Sequence, residues 1–417
     1  MEITTLGALI GLAIAIFLII KKFEPAYSMI LGALIGGIIG GAGLQNTVIC
    51  MITGAQDIMT AVIRIVASGV LAGTLIKSGA ASRIADQIIK ILGEKRALFA
   101  LALSTMILTG VGVFGDVAVI TVAPIALSLG KKLGYSKFVL LVAMVGGEKA
   151  GMVISPNPNT IAAAENFGIS LSSLMIAGII PGIIGLITTV VITTILSKKH
   201  RVDDVVDDTS DEVEVDMPSL FGAIAGPIVV IILLMLRPII GITIDPLIAL
   251  PVGGCVGMLC MGKAKNSREY LSFGLEKMMP VAILLMGTGT ISGIIKTSQL
   301  QYDMTAMLEL MNLPEFLLAP ISGTLMGAAT ASSSAGATIA SSTFASTISQ
   351  VVSPLAGAAM LHAGTIVMDT LPHGSFFHAS AGSVGMSVSE RVKMLPIDIL
   401  IGFIITLSAT IIYGVIL

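Results

Sequence analysis

Gly69-Val-Leu-Ala-Gly-Thr-Leu-Ile-Lys-Ser-Gly79 reads like a second stretch of the same chain, Gly287-Thr-Gly-Thr-Ile-Ser-Gly-Ile-Ile-Lys-Thr-Ser298. Each is followed by a polar, helix-compatible connector that leads into an apolar segment interrupted by small residues. These segments are Gly110-Val-Gly-Val-Phe-Gly-Asp116 and Gly327-Ala-Ala-Thr-Ala-Ser-Ser-Ser-Ala-Gly336. Each half then supplies a proline-broken apolar segment, Ser155-Pro-Asn-Pro-Asn-Thr160 and Asp369-Thr-Leu-Pro-His-Gly-Ser375. Repeated halves with interrupted segments at matching places are the sequence mark of a secondary transporter. The predicted fold is an all-α polytopic membrane protein of two inverted-topology repeats, each of about five transmembrane helices plus one re-entrant hairpin. The predicted organisation is an N-terminal membrane repeat at 1–197, an acidic cytoplasmic linker at 198–217 and a C-terminal inverted repeat at 218–417.

Composition sets the class independently. Of 417 residues, 55% are hydrophobic and 12% charged, the mean hydropathy is +1.01, and the uncharged runs approach the ~20 residues that a spanning helix needs. The blocks are continuous and rich in Leu, Ile, Ala and Gly, not the short alternating strands of a β-barrel. The net charge of −2 gives no ground for a nucleic-acid partner. With 46 glycines and no Trp, close helix packing through small residues is expected. Ile3 to Ile20, preceded by Glu2 and followed by Lys21 and Lys22, reads as a retained helix rather than a cleaved signal. Cys50, Cys255 and Cys260 have no metal-ligand spacing and are expected to be buried free thiols. No cofactor or metal site is expected.

Positive residues stay on the cytoplasmic side. Lys21 and Lys22 place the end of the first helix inside; Tyr27 to Leu44 goes out, and Ile58 to Ile76 returns to Lys77. Ala97 to Leu129 has Lys95 and Arg96 before it and Lys131, Lys132 and Lys137 after it, so it is predicted to enter and leave on one side as a hairpin. Phe138 to Phe167 crosses outward and Leu174 to Leu196 returns. Leu220 to Leu236, Leu247 to Met261, Met278 to Ile295, a Ser-rich hairpin from Phe316 to Val352, a broken span at Leu371-Pro372 and Ile397 to Leu417 complete the second half. Of 23 basic residues, all but Arg64, Lys149, Arg237 and Lys296 then lie in the cytoplasm. The linker holds eight acids between Asp203 and Asp216 and reads as a solvated tether.

Chemistry is expected where the backbone is broken inside the bilayer, because freed N–H and C=O groups there need a partner. The candidate substrate-binding residues are Gly115, Asp116, Ser155, Asn157, Asn159, Thr160, Thr330, Ser332, Ser333, Ser334, Thr338, His373 and Ser375. Hydroxyls, amides and helix N-termini suit a small organic anion or a polyol; the same small residues would also serve close helix contact. Candidate ion-coupling residues are Asp116, Glu148, Asp369 and His378. Asp116 is alternatively a structural cap, Glu148 and Lys149 alternatively a mutually neutralising pair, and His362 a packing residue. His373 and His378 are not spaced for zinc, and no G-x-S-x-G elbow surrounds Ser375. Nucleophile, base and oxyanion donor are nowhere assembled, so an enzyme is not expected.

Four motifs resemble the gluconate permease family of the ion transporter superfamily. Ser78-Gly-Ala-Ala-Ser-Arg-Ile-Ala-Asp86, with Leu92-Gly-Glu-Lys-Arg96 after it, is similar to that family's connector. Phe114-Gly-Asp-Val117 resembles its Phe-x-Glu-Val hairpin, Pro156-Asn-Pro-Asn-Thr160 its Pro-Gly-Pro-Thr break, and Gly385-Met-Ser-Val-Ser-Glu-Arg-Val-Lys393 its Gly-Met-Ser/Thr-Val-Lys signature. The resemblance implies an inner-membrane importer of gluconate or a related small hydroxy or amino acid by proton symport, with sodium as a second candidate ion, Asp116 in the ion or substrate site, and a homodimer. Two departures stand out. Ser155 replaces a His before the prolines, and Thr330-Ala331 replaces a basic residue near the second hairpin, so either the substrate differs from gluconate or Lys149 or a helix dipole meets its carboxylate. An inorganic-ion or cation/proton antiporter and a passive channel are the alternatives.

Overall fold

The structure, a computed structural model, describes residues 3–21, 23–199, 217–242, 244–300, 303, 314–372 and 374–416. The readings made for Glu2, Lys22, His200, Arg201, the linker at 200–216, most of the second connector and His373 lie outside these residues, as does the side chain of Arg237. Among the described residues the chain is helical, with no sheet. The first half comprises α1 (Thr5–Ile20), α2 (Pro25–Ile39), α3 (Gly43–Asp57), α4 (Met59–Lys77), α5 (Ala80–Leu92), α6 (Ala97–Gly110), α7 (Gly115–Leu133), α8 (Lys137–Met152), α9 (Pro158–Asn166), α10 (Leu171–Ala177) and α11 (Ile179–Lys199). The second comprises α12 (Leu220–Ile240), α13 (Pro246–Cys260), α14 (Ser267–Lys296), α15 (Leu318–Thr330), α16 (Ser333–Val351), α17 (Pro354–Thr365), α18 (Ser375–Ser383), α19 (Val388–Val392) and α20 (Leu395–Thr410). Met59–Lys77, Leu171–Lys198, Ala264–Lys296 and Val388–Ile416 are long and apolar enough to cross a membrane, and Ile side chains on α11 and α12 face outward.

The helices pack in two groups. One holds α1 to α4 with α12 to α14; the other holds α6 to α11 with α15 to α20, and α5 bridges them. The glycine-rich stretches that mark the repeat build the seam of the first group. A Cβ on Gly69 or Gly73 of α4 would collide with the backbone of Gly274 or Tyr270 on α14, and one on Gly289 or Gly293 of α14 with Gly54 or Cys50 on α3. Contacts climb along α3 and α4 as they descend α14, so the two long elements run antiparallel, with backbones brought together by small residues four apart. Arg64 of α4 ties the groups at one end, pairing with Glu165 at the end of α9 and, at 2.6 Å, with Asp245 at the start of α13.

Three features differ from the sequence reading. Helix α3 fills the stretch between the second and third spans; its Gln45, Asn46, Thr47, Gln56 and Asp57 keep it from reading as a membrane segment. Helix α14 starts at Ser267 rather than Met278, because Glu269 and Lys277 occur in a helix that extends beyond its apolar part. Cys255 and Cys260 are exposed and Cys50 is half-buried; on a membrane helix, apolar surroundings mean lipid as readily as protein.

Gly73→Val and Gly293→Val should each wedge α14 from its partner. We expect a loss of about 1–3 kcal/mol or more, read as a lower unfolding temperature in detergent, whereas a valine at exposed Gly382, which faces open space, should leave the seam intact.

Candidate functional site

Each half carries a helical hairpin with a tight tip and a helix broken in two. Hairpin one turns through Val111 to Phe114, with Gly112 at φ +98°, between α6 and α7. Hairpin two turns at Ala331 and Ser332, between α15 and α16, with Ala331 at φ 45°. The first broken helix unwinds after Met152 and restarts at Pro158, where Asn157 is the N-cap and the proline occupies the first helical position that needs no N–H. The second unwinds after Thr365 and restarts at Ser375. Each hairpin tip abuts the break of its own half: a Cβ on Gly112 would lie 3.6 Å from Pro156, and one on Gly374 would collide with Ala331. The helices then cross over, α16 packing on α9 and α7 on α18.

This exchange points the N-termini of α7, α9, α16 and α18 at one cavity of about 730 Å³. Its other wall comes from Glu24, Ala26, Lys277 and Pro280 of the first helix group. Gly115, Asp116, Glu148, Asn157, Asn159, Thr330, Ser332, Ser333, Ser334, Asp369 and Ser375 line it together. Ser155, Thr160 and Thr338 are fully buried and do not line it, and His378 stands outside, its Nε2 2.8 Å from the Pro372 carbonyl.

Two of the four N-termini are already satisfied by side chains. Asn157 Oδ1 accepts from the Thr160 N–H and hydroxyl, both at 3.0 Å, and Ser332 Oγ accepts from the Ala335 N–H at 3.3 Å. Ser334 donates to Asn159 Oδ1 at 2.6 Å, joining hairpin two to the first break. Helices α7 and α18 have no side-chain cap, so their first-turn N–H groups remain donors for whatever occupies the cavity. Asp116 lies in the first turn of α7 and makes no capping bond there.

The charged groups sort differently from the sequence reading. Lys149 does not pair with its neighbour Glu148. It is fully buried and reaches into the other half, bonding the Ile366 carbonyl and Asp369. It therefore closes the carbonyl end of α17 and is absent from the cavity wall, so helix N-termini, not Lys149, face the cavity. Glu148 abuts Gly115, and its Oε2 is buried without a hydrogen-bond partner among the described residues. His362 is buried with Nε2 3.5 Å from Thr160 Oγ1.

Two contributors carried no sequence signal of function. Met152 Sδ receives Asn159 at 3.3 Å and Asn157 at 3.5 Å, using the thioether as a weak acceptor in a residue that reads as core. Arg391, within the Gly385 to Lys393 signature, pairs with Asp398 at 2.6 Å, both side chains fully buried. It also stacks 5.2 Å from the Phe377 ring, fixing α18 behind the cavity. Nearby, the hydroxyl and N–H of Ser387 donate to Glu390 at 2.6 and 2.7 Å and hold its carboxyl below the ordinary value.

Comparison with known proteins places this geometry. The model of the GntP family of permeases matches residues 3–416. An uncharacterized transporter of Haemophilus influenzae is 53% identical over 418 residues, 99% of each chain. The gluconate permease of Zymomonas mobilis is 22% identical over 437 residues, covering 97% of this chain and 96% of that one. The crystal structure of the YdaH transporter of Alcanivorax borkumensis superposes with a TM-score of 0.65 at 14% identity, covering 90% and 89% of the two chains.

Lys149→Met should strand Asp369 in the interior and cost about 3–5 kcal/mol, and Lys149→Met with Asp369→Leu should recover much of it; thermal unfolding of the four-member cycle checks this. Ala331→Gly should relieve a left-handed alanine, stabilising by about 1 kcal/mol in the same assay.

Proposed function

Because this chain belongs to the GntP family of permeases and is a multi-pass membrane transporter rather than an enzyme, we propose that it imports a small organic hydroxycarboxylate such as gluconate across the inner membrane by proton symport. The observation that carries this reading is the meeting of four helix N-termini, two of them uncapped, around a cavity that also holds the carboxyls of Asp116 and Glu148. N-terminal dipoles and free N–H groups attract an anion. Serine hydroxyls and Asn159 offer partners for a substrate's own hydroxyls. Carboxyls at membrane depth take up the coupling ion.

In this reading the halves are inverted repeats of one unit, joined by the acidic linker. Support comes from matched order: α1 and α2 correspond to α12 and α13, α3 with α4 to α14, hairpin to hairpin, broken helix to broken helix. The antiparallel glycine seam is what a pseudo-twofold axis in the membrane plane would produce. Both hairpins are then re-entrant, entering from opposite faces. The cavity lies between the two helix groups and reaches Glu24 and Lys277, at the end where basic residues concentrate. That end is cytoplasmic by the charge rule, so this is an inward-facing state, with the outer side held shut by Arg64 between Glu165 and Asp245. Exchange of the substrate's exposure follows from movement of one group against the other. The paired carboxyls Asp116 and Glu148 would equally serve a cation/proton exchanger, and transport assays separate the two.

The test is uptake of labelled gluconate, glycerate, lactate, 3-hydroxybutyrate, serine and citrate into proteoliposomes with an imposed proton gradient. A gradient that is acid outside and negative inside should accumulate at least one hydroxycarboxylate, and Asp116→Asn should abolish most of that accumulation. Cation exchange with no organic acid moved, or uptake indifferent to the gradient, would sink the symport reading.

A further inference from the structure

Among the described residues at the hairpin tips and helix breaks, two carboxyls on the cavity wall have no ion-pair partner, and they are not equivalent. Asp369 is matched by Lys149, and Asp398 by Arg391. That leaves Asp116 and Glu148, both on the cavity wall. Asp116 is partly exposed, lies in the first turn of α7 and is open to the cavity. Glu148 is 1% exposed, and its Oε2 has no partner among the described residues. A buried carboxylate with an unsatisfied oxygen is costly, and neutralising it is the cheaper state.

We propose that Glu148 carries the coupled proton and that its protonation decides whether the substrate anion can occupy the α7 N-terminus. This deepens the symport reading and rests on it. The charged groups near enough to act on Glu148 are Asp369 from the second break, Lys149 on its own helix but turned to Asp369, Asp116 from α7 and Asp398 from α20; α6 brings no titratable side chain. With Lys149 and Arg391 each committed to an aspartate, ionising Glu148 beside Asp116 sets two negative charges together that neither of these buried cations is free to pair with.

The link to substrate is steric and electrostatic. Glu148 Oε1 lies so close to Gly115 that a Cβ there would collide with it, and Gly115 is the first residue of uncapped α7. An ionised Glu148 would claim that N-terminus and repel an approaching carboxylate. A protonated Glu148 leaves the N–H groups to the substrate. Proton and anion therefore strengthen each other's binding, as symport requires. The proton comes from outer water onto a Glu148 oxygen and leaves to inner water once the anion has gone; no other bond changes. Glycine at 115 is what allows the carboxyl to stand at the helix end.

Two readouts test this on the purified full chain. In infrared difference spectra at neutral pH without substrate, wild type should show a protonated-carboxyl stretching band that Glu148→Gln loses, Asp116→Asn keeps and Glu148→Asp shifts. Absence of the band in wild type, or its persistence in Glu148→Gln, overturns the proposal. In binding assays with labelled gluconate, wild-type affinity should fall as pH rises through the range in which that band disappears, and binding within this range should draw a proton from weakly buffered solution. Glu148→Gln should show neither the pH dependence nor the proton uptake, and no accumulation against a gradient. PH-dependent binding retained in Glu148→Gln also overturns it. Failure of wild type to bind gluconate counts against the substrate reading, and the infrared band then decides Glu148 on its own.

Discussion

A peptide group freed from its helix inside hydrocarbon must find a partner within the protein or in what the protein binds. This chain interrupts its backbone at four places in the membrane-facing fold, and the surrounding structure answers each interruption differently. Asn157 and Ser332 close two helix starts with their own side chains. Lys149 closes the carbonyl end left when α17 stops. The starts of α7 and α18 are left open, and both open at the same cavity. The candidate site lies where two of these helix starts are left without a side-chain cap.

Part of the matching is done across the halves. Ser334 reaches Asn159, and Lys149 reaches Asp369. Helices α7 and α16 each lie on the restarted helix of the opposite half. The carbonyl end at Ile366 and the carboxyl of Asp369 are met only by Lys149 of the other half, so the site is complete only when the two are folded against each other. The group made of α1 to α4 with α12 to α14 supplies mainly a smooth glycine seam and one cavity wall, and the single Arg64 cluster is the main ionic tie between the groups. Few directional bonds cross the boundary along which a transport cycle would have to slide.

Much of this was legible in the chain because interruptions of an apolar run are local signals. Pro156, Pro158 and the Ser332 to Ser334 run announce broken helix without reference to anything distant, and the structure breaks at those points. Pairing is another matter. Lys149 and Asp369 are 220 residues apart, and nothing near either names the other. Adjacency pointed to Glu148 instead, yet consecutive helix residues diverge around the axis and do not face each other. Met152 read as core because its sulfur accepts only weakly, and α3 stayed hidden because its polar residues dilute its apolar face. The cysteines of α13 show the same limit: sequence reports an apolar neighbourhood and not whether lipid or protein supplies it.

The open N-termini of α7 and α18 present donors that belong to the main chain. No point substitution deletes a main-chain N–H, short of proline. What a mutation at this cavity can alter is the side chains around those donors: Asp116, Ser375, Phe376 and Met152. Over evolutionary time these main-chain donors would be hard to lose, while the side chains that choose among cargoes would be easy to change, one wall residue at a time.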